Sequence, residues 1–216
     1  MGKVLGVLGG MGPAATVAFL EQLQALTPAS GDADHIRVIA DINPRVPNRN
    51  TAPEAAGREL ARMAAALRDA GAEVLAMPCN TAHTHAAAIV EASGLPLIHM
   101  IEETARAVRE AGARRPGVLG TGAGRMLHAE RLDALLLDAS DQAAFMDLIG
   151  RIKAGDTGEA VRTGMARLAG RLVDQGADAV VAGCTEVPLV LGPGDLDAPL
   201  IDTSRVLAAA CVKACR

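Results

Sequence analysis

Two cysteines stand in settings that repeat. Cys79 lies in Pro78-Cys79-Asn80-Thr81-Ala82-His83, and Cys184 in Gly183-Cys184-Thr185-Glu186-Val187-Pro188. Each follows a short apolar run and precedes a stretch with a helical pattern. Taken singly, a free cysteine reads as a small buried hydrophobe. Two of them at matching strand ends, flanked by hydroxyl and amide groups, read as chemistry. One thiolate can take a proton from one face of a carbon, and the opposite thiol can return a proton to the other face. A helix beginning just after each cysteine is expected to favour the thiolate and lower its pKa. Asn80, Thr81 and Thr185 add donors suited to a carboxylate.

Other polar groups carry weaker signals. Gly9-Gly10-Met11-Gly12 follows a first apolar run, but a complete G-x-G-x-x-G is absent, so Met11 and Gly12 read as part of a substrate loop rather than a dinucleotide loop. Arg49 sits in an Asn- and Pro-rich loop after a strand, where it is either a solvated charge or a ligand for an anion. His83 either orients the Cys79 thiolate or packs the start of a helix, and packing is the stronger reading. A Cys–His hydrolase would also need an oriented base and an oxyanion hole, and neither is evident. Cys211 and Cys215 are four apart on an expected helix. Two ligands do not complete a zinc site, so they read as structural. Glu102-Glu103 reads as an exposed helix start.

The elements that must position these groups follow from the apolar pattern. Strands are expected at 3–8, 36–41, 73–77, 96–99, 116–120, 178–182 and 199–201. Helices are expected near 13–26, 53–70, 82–92, 101–111, 124–138, 141–153, 157–175, 186–191 and 203–214. This alternation indicates parallel sheets with helices on both faces. Half of the 216 residues are apolar but only two are Phe, with no Trp or Tyr, so the core must be built from aliphatic side chains. The net charge of −4 is dispersed, without basic stripes or aromatic platforms, which argues against nucleic-acid binding. No apolar run is long enough to span a bilayer, and the opening Met-Gly-Lys-Val-Leu-Gly is too short and Gly-rich for a signal peptide. With four cysteines, the chain is not a disulfide scaffold, and a cytoplasmic location is expected.

Three landmarks recur in order. Gly6-Val7-Leu8-Gly9 is echoed by Gly117-Val118-Leu119-Gly120, Gly71-Ala72-Glu73 by Gly176-Ala177-Asp178, and Pro96-Leu97-Ile98 by Pro199-Leu200-Ile201. Any one of these is a common turn or strand. The ordered set indicates duplication. Two similar α/β domains with mostly parallel sheets are expected, related by pseudo-two-fold symmetry, with the site in the cleft between them. The first comprises 1–100 plus 203–216, and the second 101–202. Cys79 and Cys184 would then face one another, which matches inversion at a carbon whose two forms are mirror images.

With these motifs in hand, the sequence resembles the aspartate/glutamate racemase superfamily, specifically its aspartate racemase branch. Gly9-Gly10-Met11-Gly12-Pro13 with Thr16, Asn43-Pro44-Arg45-Val46-Pro47-Asn48-Arg49 and the two cysteine motifs carry the resemblance, across most of the chain. It implies cofactor-independent proton transfer with Cys79 and Cys184 as the pair. It also implies a small-molecule amino-acid substrate, aspartate first and glutamate second. The resemblance places Arg49 at a side-chain carboxylate and maps Lys153 onto the family's lysine by distance rather than by local match. Asn80, Thr81, Thr121 and Thr185 would hold the α-carboxylate and amino groups, with Met11, Gly12 and Glu186 also at the substrate. The chain departs from the family after Thr121, where a further Thr is common and this sequence reads Gly122-Ala123-Gly124. Isomerases or decarboxylases of small diacids, of the maleate isomerase or arylmalonate decarboxylase type, are the alternative within the superfamily. A non-catalytic small-molecule binder is the alternative outside it. A pyridoxal-phosphate enzyme fits poorly, because only Lys3, Lys153 and Lys213 could form the Schiff base and no phosphate cup is evident. A homodimer stays open, and no membrane or metal partner is expected.

Overall fold

A computed structural model describes residues 2–216. Two four-stranded parallel sheets form its frame. The first contains β1 (Leu5–Gly9), β2 (Val38–Ile42), β3 (Val74–Ala76) and β4 (Leu97–Ile98), in the spatial order β2-β1-β3-β4. The second contains β5 (Gly117–Val118), β6 (Leu135–Leu136), β7 (Val180–Ala182) and β8 (Leu200–Asp202), in the order β6-β5-β7-β8. The two orders are the same, so the recurring landmarks fall on equivalent strands. Strands β1, β3 and β7 are buried along their whole length, as expected when helices cover both faces of a sheet.

Among the described residues, eight α-helices surround the sheets: α1 (Pro13–Leu26), α2 (Pro53–Asp69), α3 (Ala86–Ser93), α4 (Met100–Glu110), α5 (Gly122–Ala129), α6 (Ala139–Lys153), α7 (Glu159–Asp174) and α8 (Thr203–Cys215). Their starts and stops have local causes. Pro13 and Pro53 open α1 and α2, where a missing N–H costs nothing. Asp138 accepts the Asp141 N–H at 2.8 Å and starts α6. Gly94, with φ of 66°, ends α3.

Three helices expected from the sequence are corrected. The stretch 124–138 does not run through as one helix. It stops at Ala129, and Leu135–Leu136 pairs with β5 as the edge strand β6. The run of leucines fits either period, and the Leu135 N–H donated to the Pro116 carbonyl at 2.8 Å decides for the sheet. The stretch 186–191 forms only a 3-10 turn, Val187–Leu189, which ends where the backbone leaves helical geometry at Val190, with φ of −131°. The helix expected from 82 begins as a 3-10 turn over Thr81–His85 and becomes α-helical only at Ala86.

The last helix of each half crosses to the other sheet. In α8, Leu207, Ala208, Cys211 and Cys215 pack with Leu5, Val7, Phe19, Val74 and Ala76 of the first half. The Lys3 N–H is donated to the Cys215 carbonyl at 2.9 Å. In α4, Val108 packs with Val118 and Val181 of the second half. Helices α4 and α8 also touch each other, which locks the two sheets together. Among the described residues, no helix is long and apolar enough to cross a membrane.

Candidate active site

In the order 2-1-3-4 the direction of winding reverses between the first and third strands of each half. The loops at the carboxyl ends of those strands leave a crevice. Four such loops meet between the sheets: Gly10–Gly12 after β1, Cys79–Thr81 after β3, Thr121 after β5, and Gly183–Glu186 after β7. Together with Asn48–Asn50 and one face of α6 they enclose a cavity of about 190 Å³. Cys79 and Cys184 both line it, as do Met11, Arg49, Asn80, Thr81, Thr121, Lys153, Thr185 and Glu186. Of the residues proposed from sequence, Gly12 alone is set back. It lines an adjoining cavity and donates its N–H to Glu186 Oε1 at 3.1 Å.

Glu186 is a buried carboxylate held by several groups. Besides the Gly12 N–H, it accepts the Cys184 thiol at Oε2, 3.0 Å away, and lies 3.5 Å from Thr185 Oγ1. Lys153 Nζ stands 3.9 Å from Oε1 and supplies the balancing charge. A Cβ at position 12 would come within 2.8 Å of Glu186 Oε1, so glycine there admits the carboxylate.

The thiols do not behave as the helix-terminus argument expects. Burial pushes the Cys79 thiol up, with Arg49 and Lys153 opposing that rise. Burial pushes the Cys184 thiol well above its ordinary value, and the Glu186 charge adds to the effect. The physical reason is geometric. No α-helix starts at either cysteine, only 3-10 turns, so little dipole is available against full desolvation.

Arg49 reaches the cavity from its loop. Its Nη1 donates to the carbonyls of Pro47 (3.2 Å) and Val46 (3.4 Å), and its Nε is buried with no partner among the described residues. No carboxylate pairs with it among those residues, which leaves much of the guanidinium available to an anion. Opposite, Thr81 and Thr121 share a hydrogen bond between their hydroxyls at 2.9 Å. The departure at Gly122-Ala123-Gly124 has a steric cause. A Cβ on Gly122, whose φ is 36°, would lie 1.9 Å from Asn50 Oδ1, and one on Gly124 would lie 2.8 Å from Thr81 Oγ1. The two glycines let the halves close on each other across the cleft.

His83 is structural. Its Nε2 accepts the Met100 N–H at 3.1 Å, so Nδ1 carries the proton and donates it to the Cys79 carbonyl at 2.9 Å. Burial pulls its pKa down to about 3. It ties the cysteine loop to the start of α4 and does not touch the thiol. Cys211 and Cys215 are buried in the core beneath α8, away from the cavity.

Several lining residues were not anticipated. Asn48 and Asn50 flank Arg49, and Met146, Ile149 and Gly150 share a face of α6 with Lys153. The spacing i, i+3, i+4, i+7 up to Lys153 was a usable signal, since it puts these four on one helical stripe.

The sequence matches the Asp/Glu/Hydantoin racemase family over residues 8–211. The broad specificity amino-acid racemase RacX of Bacillus subtilis is 28% identical, over 97% of this chain and 96% of its own. The glutamate racemase of Pseudomonas paraeruginosa is 32% identical, over 89% of this chain and 74% of its own. The structure of Picrophilus torridus aspartate racemase superposes with a TM-score of 0.87 at 28% identity, covering 98% of this chain and 94% of that one. Matching strand order, a cleft between two sheets and a family match from the first strand to the last helix lead to one conclusion: the chain belongs to the Asp/Glu/hydantoin racemase family.

Proposed function

We propose that the chain is a cofactor-independent racemase of an amino acid with an anionic side chain, aspartate first and glutamate second. Cys79 and Cys184 are its two proton carriers. The observation that supports this reading is the placement of the two thiols in one small cavity, each from the loop after the third strand of its half.

In one direction the Cys79 thiolate takes the proton from Cα. The C–H bond breaks, and its electron pair spreads into the α-carboxylate held by Asn80, Thr81, Thr121 and Thr185. The Cys184 S–H bond then breaks, and its proton joins Cα on the opposite face. Cys79 is left protonated and Cys184 ionised, and the return reaction exchanges their roles. Arg49 draws thiolate character toward Cys79, and Arg49 and Lys153 receive the side-chain carboxylate. Glu186 orients the Cys184 thiol.

The test is exchange of the Cα proton into deuterated water, with inversion followed by chiral chromatography, for a panel of D- and L-amino acids. Aspartate and glutamate should turn over well ahead of asparagine and alanine. Cys79→Ala and Cys184→Ala should each lose racemisation by roughly a hundred- to ten-thousandfold while keeping the native circular dichroism spectrum. Normal racemisation by either folded variant refutes the two-thiol mechanism. Equal turnover of alanine and aspartate refutes the anionic side chain. Decarboxylation or cis–trans isomerisation of a diacid in place of racemisation would favour the other activities of the superfamily.

A further inference from the structure

Asn80 follows Cys79 directly, and its side chain is almost fully committed inside the protein. Its Nδ2 donates to Thr203 Oγ1 at 3.1 Å, and Thr203 Oγ1 donates to the Ala182 carbonyl at 2.8 Å. Its Oδ1 lies 2.8 Å from His128 Nε2. The direction of every bond in this chain follows from its far end. A backbone carbonyl only accepts, so the Thr203 hydroxyl spends its proton on Ala182 and must accept from Asn80. That turns the Asn80 amide nitrogen toward Thr203 and its oxygen toward His128, which must therefore carry its proton on Nε2. Burial holds this histidine neutral, with a pKa of about 4, and its Nδ1 has no partner among the described residues.

The chain joins four elements. His128 belongs to α5, Asn80 to the loop after β3, Thr203 to the start of α8, and Ala182 to β7 two residues before Cys184. His128 also packs against Gly183, where a Cβ would approach its ring to 3.3 Å. Asn80, Thr203 and His128 are all buried. One Nδ2 hydrogen of Asn80 remains uncommitted, and Asn80 lines the cavity.

We propose that His128 and Thr203 are positioning residues that fix the polarity of Asn80, so that it offers an N–H to the substrate carboxylate and cannot turn its oxygen there. This rests on reading the cavity as the amino-acid site.

Thr203→Val removes both hydrogen bonds at nearly constant volume, whereas Thr203→Ser keeps them. The probe is L-aspartate, with its dissociation constant from calorimetry and KM and kcat from racemisation. Thr203→Val should weaken aspartate binding and raise KM about tenfold or more, because a freed amide can present its oxygen to the carboxylate. kcat should change much less, and Thr203→Ser should bind within about threefold of the wild type. The rate of iodoacetamide reaction at Cys79 in the empty enzyme should be unaltered, which a general loosening of the loop would not allow. If Thr203→Val does not fold, His128 gives the same comparison. His128→Gln retains a donor and should bind aspartate nearly normally, and His128→Leu should not. Unchanged aspartate binding in Thr203→Val, or equal losses in the Val and Ser variants or in the Leu and Gln variants, overturns the proposal. A wild type that binds no aspartate overturns instead the amino-acid reading on which it stands.

Discussion

Cys79 and Cys184 occupy unlike electrostatic surroundings, although they hold equivalent places in the two halves. Lys153 favours and Glu186 opposes ionisation of both thiols, but Arg49 acts on Cys79 and offsets part of its desolvation. Cys184 faces the carboxylate of Glu186 at 3.0 Å, which opposes ionisation and accepts the thiol proton. The thiolate is the reactive form, so the two should differ in rate with an alkylating agent. Iodoacetamide at neutral pH is expected to modify Cys79 first, as read by mass spectrometry of tryptic peptides. Because a raised pKa leaves a small thiolate fraction, the rate should climb about tenfold per pH unit up to the thiol pKa. Glu186→Gln removes the opposing charge and should narrow the gap by speeding Cys184. Faster modification of Cys184 in the wild type would mean that the Glu186 contact does not hold its proton.

At the scale of elements, helix α6 contributes a wall. Met146, Ile149, Gly150 and Lys153 follow one another at helical spacing along the cavity. A Cβ added at Gly150 meets nothing within 4 Å, so this wall has room. Gly150→Ala should therefore stabilise the protein by about 0.5–1 kcal/mol through helix propensity, seen as a higher Tm, with KM nearly unchanged. Gly150→Phe should project a ring toward the substrate and raise KM about tenfold or more. An unaltered KM for the Phe variant would show that α6 does not bound the bound substrate. These elements also mark how far the sequence could be read. The strand ends bearing Cys79 and Cys184 were legible because apolar runs of fixed length lead to each cysteine. The repeat likewise pointed to two similar α/β units, and the shared strand order is what the structure adds. Strand β6 was not legible, since a run of leucines suits a helix as well as an edge strand and only pairing with β5 decides it. The His128–Asn80–Thr203 chain was hidden because its members lie far apart in sequence, up to 123 residues for Asn80 and Thr203. The thiol pKa values went the other way because burial is a tertiary quantity, and the short turns after the cysteines supply little dipole to oppose it.

For the molecule as a whole, the same buried groups set the range of pH over which it holds together. His83 and His128 are neutral inside the protein, with pKa values lowered from 6.5 to about 3 and about 4. In the unfolded chain they protonate near 6.5, so between that pH and about 4 to 3 the unfolded state binds more protons. Their contribution is fully present above pH 6.5 and is lost as the pH falls toward those lowered values. A tenfold difference in proton affinity between folded and unfolded chain corresponds to about 1.4 kcal/mol, so the two imidazoles together represent on the order of several kcal/mol. The four buried cysteines act at the opposite end. All four thiols are raised above 9.0 by burial, so the unfolded chain loses their protons first. Their contribution is present below about pH 9 and is lost as the pH rises beyond it. Urea unfolding followed by circular dichroism should give a stability plateau between about pH 7 and 8.5, with a fall on each side. His128→Gln keeps the N–H donor to Asn80 but does not titrate, so it should flatten the acid limb while leaving the alkaline limb in place. Cys211→Ala removes a core thiol away from the cavity and should flatten the alkaline limb without altering the acid one. A stability that is constant from about pH 7 down to about 4.5, or an acid limb unchanged in His128→Gln, would mean that the buried imidazoles are not what the acid attacks. In that case paired carboxylates such as Asp156, whose pKa is lowered first by its hydrogen bond with Arg151, would account for the acid loss, and Asp156→Asn would flatten the limb instead.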